Sequence, residues 1–345
     1  MYTPIERRLT WVILGVLIMF YGWLLTFAGE LTILTIRANR SGNIAAELQQ
    51  RVGSSASAEQ RATMLFVGDI MLSRSVGEYM ETIGDYRFPF TQVAQVLKDV
   101  DVAFGNLESP ISSRGANQGS IYSFRADPRV VEGLTFAGFD VLSLANNHIW
   151  DWGKDALLDT VSTLKGEGMS PVGAGANHTQ ANQPVILEFK ETKVAFLAYT
   201  NLLPQSLEAS SESPGLSEFD LDKIKDAVVY LKDEVDLIVV SLHWGEEYET
   251  SSNAEQEEIA HALIDSGVDL VVGHHSHVVQ ELERYGNGWV AYSLGNFVFD
   301  QTFSKETMRG AALWVQLEGG DIRDAKLLPV YISPEFQPAI DASLL

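Results

Sequence analysis

The segment "VVGHHSHVVQ", residues 271–280, carries three histidines within four positions, directly after an apolar run. The whole chain of 345 residues contains only seven histidines, so this local density calls for an explanation. One interpretation is a surface loop that tolerates them. The other is a metal site, because imidazole nitrogen is a common ligand of divalent first-row metals.

Further polar side chains occupy equivalent places, each just after a short apolar run that is typical of a strand. The full set is Asp69, Glu108, Asn147, His148, His243, His275 and His277. Segments with helical spacing of apolar residues separate these strands, which predicts an α/β domain. The carboxyl ends of strands in such a sheet meet at one edge, so these side chains are expected to converge.

The residue types at these strand ends favour a metal bound by nitrogen and oxygen. Carboxylate, amide and imidazole groups suit Mn²⁺, Fe or Zn²⁺, and the absence of cysteine excludes thiolate sites. Taken singly, each residue has an ordinary alternative as a helix cap, a turn residue or a packed core histidine. Together they predict a site for one or two divalent ions, with these ligands: Asp69, Glu108, Asn147, His243, His275 and His277.

One histidine of the set is placed for proton transfer. His148 follows Asn147 directly, and Asp151 comes three residues later. A carboxylate that orients an imidazole makes it a good general acid–base group. A metal ion can polarise a phosphoryl or carbonyl oxygen and generate hydroxide from water. The combination predicts metal-assisted hydrolysis, with His148 and Asp151 as the catalytic pair.

The net negative charge of the chain limits which molecules it can bind. The formal net charge is −22; the first 40 residues contribute +2 and the remainder −24. Such a surface repels phosphate backbones, which disfavours nucleic acid as a partner. An anionic substrate would need local positive charge, and Arg74 and Arg125 lie in the motif loops, as does the polar Asn106. We predict that these three contact substrate, although both arginines could equally be surface or helix-capping residues.

The N-terminal region predicts a membrane anchor. Residues 9–28 are uncharged and mostly apolar, long enough to span a bilayer of about 30 Å. Arg7 and Arg8 precede them, so the following domain is expected outside the cytoplasm. A cleaved signal peptide is the alternative, but its apolar region is normally shorter. The predicted division is a cytoplasmic segment (1–8), the anchor (9–28), a polar linker (29–62), the domain (63–332) and a C-terminal tail (333–345).

Several motifs together resemble a known family. They are "GDIMLSR", "GNLESPI", "FRADPRVVEGLTFAGFDVLSLANNHIWDWG", "GAGAN", "SLHWGEEY", "ALIDSGVDLVVGHHSHVVQ" and "YSLGNFVFDQ". This combination closely resembles the bacterial capsule synthesis protein CapA family, associated with poly-γ-glutamate biosynthesis. That family is itself similar to the calcineurin-like metallophosphoesterases. The resemblance, from about Met64 to Tyr331, implies a four-layer α/β sandwich of two mixed β-sheets flanked by helices.

The resemblance also implies roles for individual residues. Asp69 matches the aspartate of the first phosphoesterase motif, and Asn147–His148 match an asparagine ligand and a catalytic histidine. His243 matches a lone histidine ligand. The final G-x-H-x-H motif makes His275 and His277 ligands and leaves His274 as the variable residue between them.

Two positions depart from the phosphoesterase pattern. The first motif usually reads Asp-x-His, but Met71 stands where the histidine would be. The second usually has Gly-Asp, but here Asn106 follows the glycine and Glu108 is the nearest carboxylate. These departures leave a full two-metal site and phosphoesterase activity open.

Three functions are therefore weighed. The first is a membrane-anchored, extracytoplasmic, metal-dependent hydrolase-like enzyme that acts on a capsule polymer or its precursor. The second is a non-catalytic accessory that binds poly-γ-glutamate and helps to export it. The third is a metallophosphatase unrelated to capsule. For the first two, the resemblance implies membrane-embedded capsule synthesis subunits as partners.

Overall fold

The computed structural model of the protein describes residues 61–341, which form one mixed α/β domain. The first seven strands are β1 (Arg61–Ile70), β2 (Val102–Leu107), β3 (Val141–Ser143), β4 (Ser170–Val172), β5 (Ala174–Gly175), β6 (Val185–Phe189) and β7 (Thr192–Thr200). The next four are β8 (Gly215–Leu216), β9 (Leu237–His243), β10 (Leu270–His274) and β11 (Leu282–Tyr285). The last five are β12 (Gly288–Ala291), β13 (Asn296–Val298), β14 (Arg309–Glu318), β15 (Asp321–Ile332) and β16 (Pro338–Ile340).

Helices connect many of these strands. They are α1 (Arg74–Ile83), α2 (Ala94–Lys98), α3 (Val131–Ala137), α4 (Gly153–Gly166), α5 (His178–Asn182), α6 (Leu221–Leu231) and α7 (Ala254–Ser266). The helix α7 begins with a capping box, in which Asn253 accepts from the backbone of Gln256 and the Gln256 side chain accepts from that of Asn253. This reciprocal pair satisfies two donors that the first turn of a helix leaves free.

Two large sheets form the core of the domain. The first has eight strands in the order β16-β15-β14-β1-β2-β3-β4, with β13 also paired to β1. The second has six strands in the order β11-β12-β10-β9-β7-β6. Both sheets mix parallel and antiparallel neighbours, since β1 is parallel to β2 but antiparallel to β14, and β10 is parallel to β9 while β12 is antiparallel to β11.

Apolar side chains pack the sheets and helices into layers. Strand β1 shows how: Met64 and Phe66 face the second sheet, whereas Leu65 and Val67 face the helices on the other side. Successive side chains of a strand point to opposite faces, so a central strand that is covered on both faces is apolar throughout. A third apolar cluster joins the second sheet to α6 and α7. The predicted pair of mixed sheets with flanking helices is confirmed for the described residues.

Some boundaries of the structural elements differ from those predicted from the sequence. The apolar run in "WVAYSLGNFVFD" predicts one strand ending at Gly295–Asn296, but the segment forms β12 and β13, which belong to different sheets. The chain crosses between the sheets at residues 292–295, where Gly295 has φ 63°. The expected C-terminal tail contains β16, which pairs with β15 and thereby satisfies its backbone groups. At the other end, β1 starts at Arg61, two residues before the predicted boundary.

The predicted membrane anchor at residues 9–28 lies outside the described residues, as does most of the predicted linker. Between residues 61 and 341, none of the helices is both long enough and apolar enough to cross a membrane.

Candidate metal centre

The six side chains predicted as metal ligands lie together at one edge, where parallel strands of both sheets end. Asp69 is the next-to-last residue of β1, Glu108 follows β2, and His243 is the last residue of β9. Contacts connect the set: Asp69 Oδ2 lies 3.2 Å from His277 Nδ1, His277 Nε2 lies 3.8 Å from Glu108 Oε1, and His243 Nε2 lies 3.0 Å from Asn147 Oδ1. The backbone N–H of His275 donates to Asp69 Oδ2 at 3.3 Å. The convergence expected from the strand ends is therefore observed.

Three of these residues form a fully buried set, called here the inner group: Asp69, Glu108 and His243. One ligand atom from each lies within 4.8 Å of the other two, and all three side chains are buried. Two carboxylates at such close range in the interior need a compensating positive charge. A divalent cation would supply that charge at the point where the three side chains meet.

A second set lies beside the first and is called the outer group: Glu247, His275 and His277. Its ligand atoms also lie within 4.8 Å of one another, and only Glu247 is exposed to solvent. The sequence did not identify Glu247 as a ligand. The only signal was its place in "HWGEEY", four residues after His243, in a chain that holds 46 acidic residues.

Two buried polar atoms of these groups have no hydrogen-bond partner among the described residues. They are Glu108 Oε1 and His275 Nδ1. Leaving such atoms unpaired in the interior costs about 1–3 kcal/mol each. Glu108 belongs to the inner group and His275 to the outer group, so one cation in each group would give each of these atoms a partner. The donor set thus fits the divalent metal expected from the sequence.

The pKa values of the two carboxylates of the inner group are shifted in opposite directions. Burial raises the pKa of Glu108 well above the usual range, and the neighbouring charge of Asp69 raises it further. Burial alone would also raise the pKa of Asp69, but contacts with the imidazoles of His274 and His277 reverse this and hold it well below the usual range. Without metal, Asp69 is therefore the ionised carboxylate and Glu108 keeps its proton more strongly.

Two of the histidines, His243 and His275, favour the neutral form. Burial, followed by the proximity of His275, lowers the pKa of His243 well below its ordinary value. Burial, followed by the charge of His277, lowers the pKa of His275 to about 4. Neutral imidazole is the form that binds metal, so these two rings need lose no proton near neutral pH.

Asparagines hold the candidate ligands in place. The Nδ2 atom of Asn106 donates to Asp69 Oδ1 at 2.8 Å and lies 3.3 Å from His243 Nδ1. Asn296 Oδ1 lies 3.0 Å from His277 Nδ1, which leaves Nε2 of that ring to face Glu108. Such outer partners fix the orientation of metal-ligating histidines. Asn106 was predicted to contact substrate, but it is fully buried, and this geometry favours a positioning role.

The predicted catalytic pair is formed on the loop after β3. His148 Nδ1 lies 2.7 Å from Asp151 Oδ2, and the same carboxylate oxygen accepts from the backbone N–H of Phe124 at 2.8 Å. The ring of Phe124 stacks on His148 with centroids 3.9 Å apart. Asn146 Oδ1 accepts from the backbone N–H of His148 at 3.1 Å. With Nδ1 held in this way, Nε2 is the nitrogen left for a substrate.

The two predicted substrate arginines differ in their surroundings. The guanidinium of Arg74 lies 3.0 Å from the buried carboxylate of Asp300, so its charge is already paired. Arg125 stacks over the ring of Trp152 at 3.5 Å. Over residues 61–341, no carboxylate forms an ion pair with Arg125. Of the two, Arg125 is the cation that is free to meet an anionic group.

The backbone of the outer group is held in an unfavourable conformation. Tyr248, His275 and His277 have φ values of 69°, 97° and 58°, in the left-handed region. Each such residue costs of order 1–3 kcal/mol and persists only where its surroundings impose it. Gly273 precedes the histidines because a Cβ there would lie 1.9 Å from the carbonyl oxygen of Tyr292. The histidine loop is therefore positioned against its local preference.

Met71 does not take over the role of the histidine that it replaces. Its sulfur is the acceptor for both the backbone N–H and the hydroxyl of Ser73, at 3.2 and 3.1 Å. The side chain is fully buried. The ligand set therefore differs in composition from the phosphoesterase pattern at this position, as the sequence indicated.

One solved structure with a similar fold is that of a putative 5'-nucleotidase from Staphylococcus aureus in complex with alpha-ketoglutarate. The superposition has a TM-score of 0.51 at 17% sequence identity and covers 79% of this chain and 55% of that chain. At this identity the likeness shows a shared fold alone.

Sequence comparison is more specific. The chain is 36% identical over 255 residues to capsule biosynthesis protein CapA of Bacillus anthracis, covering 71% of this chain and 62% of that protein. It is 32% identical over 243 residues to PGA biosynthesis protein CapA of Bacillus subtilis (strain 168), covering 70% and 64%. The matches thus span less than two thirds of either relative. The profile of the family described as bacterial capsule synthesis protein PGA_cap matches residues 63–301, and the chain belongs to this family.

Proposed function

We propose that the protein is a metal-dependent hydrolase of capsule biosynthesis that acts on poly-γ-glutamate or on an anionic precursor of it. The observation that carries the proposal is the His148–Asp151 pair beside two groups of metal-ligand type at one sheet edge. Asn147, the residue before His148, contacts His243 of the inner group, with Oδ1 and Nε2 3.0 Å apart. Metal binding and proton transfer would therefore act on the same bond.

A division of roles follows from the geometry. The inner and outer groups would hold one or two divalent ions of Mn, Fe or Zn, which when bound would polarise the substrate and activate water. Asp151 would orient His148 through Nδ1, and Nε2 would deliver a proton to the leaving group. Asn147 would contribute an amide oxygen beside His243.

Substrate recognition would rest on local positive charge in an acidic protein. Poly-γ-glutamate carries a carboxylate on each residue, and Arg125 is available to bind one. Stacking on Trp152 holds the guanidinium plane in place and reduces the entropy lost on binding. Arg74 would act less directly, because Asp300 already balances its charge.

A second function is favoured by the departures from the phosphoesterase pattern. Met71 replaces a ligand, and its sulfur is occupied by Ser73. A site that has lost a ligand could bind the polymer and assist its export without cleaving it. The hydrolase is the stronger candidate because the His148–Asp151 pair is complete, and simple binding would not require it.

The place of action is part of the proposal. The apolar residues 9–28, preceded by Arg7 and Arg8, would anchor the chain in the cell membrane with the domain outside the cytoplasm. Membrane-embedded capsule synthesis subunits would then be the partners. Accessibility of the domain to protease added to spheroplasts tests this orientation.

The experiment that tests the activity measures polymer length. Protein stripped with EDTA and reloaded with Mn²⁺ or Zn²⁺ is incubated with poly-γ-glutamate, and the products are sized by gel filtration. We expect shortening only in the metal-loaded sample. Binding of intact polymer with no shortening in either sample would support the accessory function instead.

A further inference from the structure

Two aromatic rings lie together at the border of the candidate metal centre. Tyr248 belongs to the loop after β9, and Phe303 belongs to the loop between β13 and β14. Their ring centroids are 5.3 Å apart, and the ring planes are nearly perpendicular at 82°. The ring of Tyr248 also lies 6.1 Å from that of His277. Tyr248 and Phe303, called here the aromatic pair, therefore stand beside the histidine loop.

Hydrogen bonds hold the aromatic pair in place. Gln301 donates from Nε2 to the hydroxyl oxygen of Tyr248 at 3.3 Å, and its Oε1 accepts from Asn296 Nδ2 at 3.1 Å. The hydroxyl of buried Thr307 donates to the carbonyl oxygen of Gln301 at 2.6 Å and closes the loop that carries Phe303. Because the chain already fixes both rings, little conformational freedom would be lost when a ligand covers them.

Both rings are exposed although their loops are fixed by hydrogen bonds. Phe303 is 66% exposed and Tyr248 is 43% exposed. A single apolar side chain at the surface needs no explanation. A fixed pair beside a polar site is different, because burying such rings stabilises a complex through the hydrophobic effect. The aromatic pair is therefore suited to contact an apolar part of a ligand that reaches the metal centre.

The charge around the aromatic pair indicates which ligand would fit. Lys305 follows Phe303 by two residues, is exposed, and forms no ion pair within residues 61–341. The chain has a net charge of −22, so an anionic polymer is repelled at long range and needs close contacts that do not depend on charge. Each repeat of poly-γ-glutamate has methylene groups in its backbone and one carboxylate. It therefore offers an apolar segment to the rings and an anionic group to the lysine.

We propose that Tyr248 and Phe303 form a substrate subsite, in which the two rings pack against the backbone methylene groups of poly-γ-glutamate and position the polymer at the metal centre. The inference rests on the proposed function, because it takes this polymer as the substrate. It adds a determinant of specificity, since an anionic chain without methylene groups would lose the contact with the rings. Phe303 is the ring to remove, because Tyr248 directly follows Glu247 of the outer group.

The test measures polymer affinity in the full-length protein in detergent, loaded with Mn²⁺. Every sample carries His148→Ala, so that the polymer is bound rather than cleaved, and calorimetry gives dissociation constants for poly-γ-glutamate at low and high salt. We expect Phe303→Ala to weaken binding about tenfold, with unchanged metal content. The loss should persist at high salt, because salt screens charges and not apolar contacts. Phe303→Tyr keeps the ring and should restore the affinity of the His148→Ala parent.

The matched control is Tyr230→Ala in the same background. Tyr230 is 72% exposed on α6 and belongs neither to the metal-ligand groups nor to the aromatic pair. Loss of an exposed aromatic ring at this position should leave polymer affinity at the value of the parent.

The outcomes separate this inference from the proposed function. Equal affinity of Phe303→Ala and the parent would overturn the inference and leave the hydrolase proposal intact. A loss that Tyr230→Ala or Phe303→Tyr shares, that disappears at high salt, or that accompanies loss of metal would also overturn it. If the parent does not bind the polymer, the inference falls, and the shortening assay with intact His148 decides whether the proposed function falls with it.

Discussion

The two halves of the candidate site are built differently. The metal half, from the ends of β1, β2, β9 and β10, contains buried carboxylates and histidines with left-handed backbone. It also contains buried atoms without hydrogen-bond partners, among them Glu108 Oε1 and His275 Nδ1. The proton-transfer half, from the loop after β3, pairs His148 with Asp151, and the same carboxylate oxygen also accepts from the Phe124 backbone. The ligand groups of the metal half contain buried atoms without partners, whereas the His148–Asp151 pair of the other half is joined by a hydrogen bond within the chain.

This difference indicates what each half requires. Buried polar atoms are nearly always paired in native proteins, so unpaired atoms at a strained site point to a missing ligand. The oxygen and nitrogen atoms that join His148 to Asp151 are paired, because their hydrogen bonds are made within the chain. Loss of metal should therefore disturb the first half strongly and the second only slightly, and the predictions below test this.

The largest effect is expected from removing both histidine ligands. In the double variant His275→Ala and His277→Ala, the outer group loses both of its imidazoles, and the two carboxylates of the inner group lose their contacts with His277. We expect bound metal to fall below the detection limit of elemental analysis after dialysis, with complete loss of metal-dependent hydrolysis.

The control is a double variant of two histidines outside the site. His178 pairs with Glu218, and His261 pairs with Glu283, both at the surface. His178→Ala with His261→Ala should retain the metal content of wild type. Stoichiometric metal in the His275/His277 variant would contradict the assignment of the site.

A smaller effect is expected in the dependence of stability on pH. His275 has a folded pKa of about 4, below the unfolded value of about 6.5, so the metal-free protein should lose stability as pH falls through this window. The loss from this group is on the order of 3 kcal/mol. Glu108 has a raised folded pKa, so its contribution is lost instead as pH rises through that value.

A bound divalent cation should reverse the pH dependence of stability that Glu108 causes. A bound cation favours the ionised Glu108 and neutral histidines, so the rise in unfolding temperature on adding Mn²⁺ should be larger at about pH 7.5 than at about pH 5. Calorimetric scans of wild type and Glu108→Gln measure this. The variant should show a smaller rise, with weaker pH dependence. An equal rise at both pH values in wild type would contradict the coupling between metal and the buried carboxylate.

Much of the site was predictable because strand ends are visible in a sequence. Asp69, His243 and His275 each follow an apolar run, and parallel strands bring such ends to one edge. Glu247 could not be found in this way, because an exposed glutamate in an acidic chain has no local signature. The division of "WVAYSLGNFVFD" into β12 and β13 was missed for a different reason. It depends on the chain crossing between two sheets, which apolar spacing does not encode.

The most direct test of the central claim compares wild type with His148→Ala on poly-γ-glutamate, with metal content measured on the same samples. General acid–base catalysis typically contributes about 10²–10⁴-fold in rate. We expect the variant to keep its metal and its unfolding temperature while hydrolysis slows by that factor, and Asp151→Asn to slow it less. If His148→Ala keeps its metal and shortens the polymer as fast as wild type, the catalytic role of the pair is contradicted.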